Sequence, residues 1–184
     1  MLNKRTRIFE TNSSSMHSIA VSSRDRGYNY DLPITDDGIL YVEFNEYGWG
    51  PDILQDPLEK LSYYITDQFG GYRHDNKSFE DGVCDILEDQ RMKDLIEILK
   101  SKVPGFKRLE LGPASEYNNG FGYVDHQSSG LTTGEDVEDL IFNNAKIIII
   151  DNDNSWNYED YYEPEEWEKG GHPHKDIEEL WDLQ

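Results

Sequence analysis

Cysteine, long apolar runs and basic residues are all scarce in this chain of 184 residues. The longest unbroken aliphatic run, Ile147 to Ile150, is far too short to span a bilayer, which takes roughly 20 apolar residues. The single cysteine, Cys84, excludes an intramolecular disulfide and suits a reducing, cytoplasmic setting. Its place in a helical pattern predicts a small core residue. The basic opening, Met1 to Phe9, leads into no apolar segment of the signal-peptide kind. No P-loop, G-x-G-x-x-G, H-E-x-x-H, G-x-S-x-G or paired C-x-x-C is present, so the nucleotide, zinc-protease and serine-hydrolase classes that announce themselves this way find no support. No internal repeat is visible.

Acid is abundant. Against 17 basic residues stand 38 acidic ones, for a net charge of −21. The balance is uneven: the first thirty residues lean basic, while the stretch after Ile150 is strongly acidic and rich in aromatics. Such a chain repels nucleic-acid phosphates unless a basic patch or a metal intervenes, and it attracts basic protein surfaces. The same excess also serves solubility alone. With 36% hydrophobic and 12% aromatic residues, there is enough apolar material for a core.

Local signals predict an α+β fold in a single domain, with a mixed sheet covered by helices, over residues 1–153. An acidic aromatic tail, residues 154–184, packs partly on it. Strands are expected at Lys4 to Glu10 and Ser18 to Ser22. A hairpin is expected in LPITDDGILYVEF, turning at Asp36-Asp37-Gly38. Asp56-Pro57 opens a helix with Leu58, Leu61, Tyr64 and Ile65 on one face. Ser78 with Asp81 reads as a capping box for a helical stretch to about Lys102, whose register slips near Glu88 to Gln90 and which Pro104-Gly105 ends. Strands follow at Lys107 to Leu111 and Tyr123 to His126. A helix capped by Thr133 runs to Phe142, AKIIIID forms a buried strand, and a last helix spans Asp176 to Leu183.

Three clusters could carry chemistry. In ETNSSSMHS, expected as a turn between two strands, Asn12, Ser13, Ser14 and Ser15 offer uncharged donors to an anion, and His17 titrates near neutral pH. The same residues could instead bond their own backbone in Asx and ST turns. In YVDHQSSG, His126 ends a strand beside Asp125 and Gln127. Two imidazoles flanking a phosphodiester can cleave RNA without metal, with Ser14 as an oxyanion donor. Two unrelated surface histidines are the alternative. In IIIIDNDNSW, Asp151 and Asp153 fall on one side of a strand end, where Mg²⁺ could bind. An EF-hand does not fit, because Trp156 and Tyr162 stand where it needs glycine and glutamate. In the tail, Glu163, Glu165, Glu166 and Trp167 suit docking onto an arginine-rich partner.

The segment FETNSSSMHSI resembles the opening of small proteins encoded by phages and mobile elements of Gram-positive bacteria. YGWG, YVDHQS and IIIIDND are similar to further stretches of that class. By size, acidity and this resemblance, the chain is similar to inhibitors of host defence, including anti-CRISPR proteins acting on Cas9 or its guide RNA. The resemblance implies Asn12, Ser13, Ser14, Ser15, His17, Asp125, His126 and Gln127 as site candidates and does not reach the tail. Three functions follow as expectations: an inhibitor of a guided nuclease, a ribonuclease using His17 and His126, and a metal-dependent enzyme built on Asp151 and Asp153.

Overall fold

The computed structural model describes residues 15–22, 27–48, 51–71, 77–114, 117–125 and 128–152. Within them the fold is α+β, with mixed antiparallel and parallel pairing, as the local signals predict. The expected strand at Lys4 to Glu10 and the expected helix at Asp176 to Leu183 lie outside the described residues, as does the acidic tail 154–184.

The isoleucine run forms the middle strand of a three-stranded antiparallel sheet. Strand β7 (Lys146–Asn152) lies between β1 (Ser15–Val21) and β4 (Asp52–Leu54). Ile147, Ile148 and Ile150 are buried, as expected of a strand covered on both sides. Two smaller pairs are parallel: β2 (Ile39–Glu43) with β5 (Arg108–Gly112), and β3 (Glu46–Tyr47) with β6 (Tyr123–Val124). Parallel neighbours need a crossover, and here the helices supply it.

Helix α1 (Pro57–Phe69) starts where Asp56 accepts the Leu58 N–H and Glu59 reaches back to the Asp56 N–H. The slip near Glu88 separates α2 (Phe79–Glu88) from α3 (Gln90–Lys102). Asp89 ends the first and caps the second, accepting the Arg91 N–H. Helix α4 (Val137–Phe142) leads into β7. The core gathers Leu40, Phe44, Leu61, Ile65, Leu95 and Phe121, all essentially inaccessible to solvent.

Several expectations change. The hairpin closes at its turn, where Thr35 exchanges backbone hydrogen bonds with Gly38 and Ile39, but pairing stops at the single bridge Ile34–Leu40. Pro33 has no N–H to extend that ladder, and β2 pairs with β5 instead. Helix α4 begins three residues later than expected, with Asp136 and not Thr133 as its cap, because Gly134 sits at φ +85°, a left-handed conformation that no helix continues through. Cys84 is exposed. At about 100° per residue it falls on the far side of α2 from Gly82 and Ile86, which face the core. Gly122, at φ +54°, marks a close approach of backbones: a β-carbon there would strike the backbone of Asn45, where β6 and β3 begin side by side.

Candidate functional site

Helix α1 is buried on both faces, not only on the apolar one. Its polar side chains therefore have to find partners inside the protein. Lys60 Nζ donates to the carbonyls of Asn143 (3.0 Å) and Lys146 (3.2 Å), just beyond the end of α4. Ser62 donates to the Glu43 carbonyl (2.7 Å) and accepts from the Tyr47 hydroxyl (3.1 Å). Thr66 accepts the Asn45 N–H. Asp67 accepts the N–H of Gly130 (2.5 Å) and, at its other oxygen, the N–H (2.9 Å) and hydroxyl (2.6 Å) of Thr132. Gln68 donates to Thr132 Oγ1 (2.8 Å) and accepts from the Arg91 guanidinium (3.1 Å).

Tyr63 meets the first sequence candidate. His17 Nδ1 and the Tyr63 hydroxyl share a hydrogen bond of 2.7 Å, with the rings tilted and 5.7 Å apart. His17 does not sit in a turn. It is the third residue of β1, opposite Ile150, and only 6% exposed. The strand begins three residues earlier than expected because β7 offers it partners as far as Asn152. Nε2 of His17 is buried and finds no hydrogen-bond partner among the described residues. Burial pushes the imidazole pKa down to about 4, although the nearby charges of Asp125 and Asp67 pull it upward. Burial likewise drives the Tyr63 pKa up. At neutral pH both rings are uncharged, and the imidazole is walled off from bulk solvent.

The two histidine-bearing segments converge through Ser128. The backbone N–H of His17 donates to Ser128 Oγ (3.1 Å). Asp125, just after β6, folds that loop: its carbonyl accepts the N–H groups of Ser128 and Ser129, while its own N–H donates to the Tyr47 carbonyl. Asp67 fastens the next turn. His126 and Gln127 lie outside the described residues, as do Asn12, Ser13 and Ser14. Ser15 pairs with Asn152 at the start of β1. Asp151 pairs with Met16, while its companion Asp153 lies outside the described residues. Among the described residues no three potential ligands gather into a metal-binding group. Glu163, Glu165, Glu166 and Trp167 also lie outside.

Tyr63 and Asp67 were missed in the sequence, although their spacing of four places both on one face of α1, toward β1 and the loop 128–132. Lys60 was missed too. It is fully buried, and desolvation pulls its ammonium down to about 8 despite the nearby charges of Asp56 and Asp139. No helix among the described residues is long and apolar enough to cross a membrane. No known protein-family model, curated protein or solved structure matches this chain.

Proposed function

We propose that this protein is a binding protein that occupies a basic surface on a nucleic-acid-handling enzyme. The resemblance of its opening segment to small phage proteins points to a guide-RNA-loaded nuclease such as Cas9 as that enzyme. The observation that carries this reading is how the positive charge is used. Lys77, Arg91, Lys93, Lys100, Lys102, Arg108 and Lys146 are each engaged by an acid of the same chain. Lys60 is buried against carbonyls. The chain carries a net charge of −21, and among the described residues the exposed acids Asp31, Asp36, Asp37, Glu43 and Glu80 stand in no ion pair. A surface of that kind matches a channel built to hold phosphates.

The burial of His17 supports binding over the two-histidine ribonuclease. A general base must reach the proton it removes, and this imidazole is held against Tyr63 inside the protein. Titration calorimetry against guide-loaded and guide-free Cas9, at low and at high salt, tests the proposal. Binding that weakens steeply with salt is expected. No binding to either form, or binding indifferent to salt, overturns it.

A further inference from the structure

Strand β1 stands at the edge of its sheet, with β7 as its one strand neighbour among the described residues. The His17 N–H points away from β7, to Ser128 Oγ, so the N–H groups of Met16, Ser18 and Ala20, which alternate with it, point toward β7. On its helix side the strand is tied by one side-chain hydrogen bond among the described residues, between His17 Nδ1 and the Tyr63 hydroxyl.

The surroundings of this imidazole suit a neutral ring alone. Tyr63 and Asp67 reach it from α1, and Ser128 and Asp125 from the segment after β6. Tyr47 of β3 packs behind Tyr63, with 4.8 Å between ring centres, and Ile150 stands opposite on β7. The Asp67 oxygens are already engaged by Gly130 and Thr132. Where the phenol donates to Nδ1, a proton added there sets two hydrogens against each other across 2.7 Å. Where Nδ1 already carries the proton, the added one falls on Nε2, which has no hydrogen-bond partner among the described residues. Either way the imidazolium is a buried cation with an unmet donor. Burial outweighs the attraction of Asp125 and Asp67 and holds the pKa at about 4. An edge strand can carry such a ring into solvent by peeling from its one neighbour, which leaves the other strand pairs intact.

We propose that the His17–Tyr63 pair is an acid-operated latch, whose protonation releases β1 from α1 and β7 while β4 and the helices keep their places. Release bares one edge of β7, and with it the buried side chains of Ile148 and Ile150, as a template for pairing with another strand.

Native-state amide exchange on the full chain, in low urea at about pH 8 and about pH 5, tests the latch. With a pKa of 6.5 in the released strand and about 4 in the latched one, opening becomes roughly thirtyfold more favourable across that interval. Met16, Ser18 and Ala20 should lose protection by about that factor. Their exchange at the lower pH should hardly respond to urea, because releasing one strand exposes little surface, whereas amides of α1 should keep the steep urea dependence of global unfolding. His17→Phe should flatten the pH response of β1. A second readout needs no variant: the His17 ring shifts should report a charged imidazole only as β1 loses protection. Equal rates and equal urea dependence for β1 and α1 at both pH values would mean that only the whole domain opens, and the latch falls. It falls equally if His17→Phe leaves the β1 response unchanged, or if the ring becomes charged while β1 stays protected.

Discussion

His17 has an ordinary pKa of 6.5 and one near 4 in the folded protein. Between those values the unfolded chain takes up a proton that the folded one refuses. The stability tied to the neutral ring is therefore complete above 6.5 and is lost as pH falls toward 4. The full loss is on the order of 3 kcal/mol. Urea unfolding followed from neutral pH to about pH 4 should show it. His17→Phe should be less stable at neutral pH, because the Tyr63 hydroxyl loses its partner, yet its acid decline should be shallower. Identical acid slopes in the two proteins would mean that His17 is not the group that titrates. The sequence marked this histidine as notable but misplaced it. Ser-Met-His-Ser carries no apolar alternation of its own, and only pairing with a strand more than a hundred residues away makes it part of a sheet.

At the scale of elements, α1 is the post to which the rest of the chain is tied. Successive polar residues along it reach β1, the segment after β2, the end of α4 and the loop 128–132. Asp67 makes the densest of these ties. Asp67→Asn turns one acceptor oxygen into a donor facing N–H groups, so it should cost about 2–4 kcal/mol. Amide exchange at Gly130 and Thr132 should quicken with it. Unchanged melting together with unchanged protection would rule out the clamp. Asp56→Ala, which removes only the cap of α1, should cost about 1 kcal/mol in thermal or chemical melts. The start of α1, the Ser78 cap and the break at Asp89 were all legible, because capping is written within a few residues. The parallel pairings β2–β5 and β3–β6 were not. A local hairpin signal ending in Asp-Gly outweighs a partner that arrives only after three helices. The buried polar face of α1 was hidden for a similar reason: Lys60, Asp67 and Gln68 read as a solvated side until the loops that satisfy them are in place.

For the whole molecule, a net charge of −21 acts on the fold as well as on any partner. Its acids repel one another, so added salt should raise the melting temperature of the free protein while weakening the proposed binding to a basic partner. The two trends run in opposite directions and can be followed in one salt series. A melting temperature that falls with salt would show that the internal ion pairs outweigh the repulsion. The order of strands carries a further consequence, for synthesis. Strand β7 lies between β1 and β4, yet it leaves the ribosome after both. At 5–20 residues per second, the about ninety residues between Leu54 and Lys146 keep the two outer strands without their shared partner for roughly 5–20 s. A nascent chain halted at Asn144 should be cut readily by protease within residues 15–54, whereas one released past Asn152 should resist. Throughout that interval the earliest part of the domain depends on the cell's chaperones and on its own surplus of like charge to stay apart from its neighbours on the same messenger.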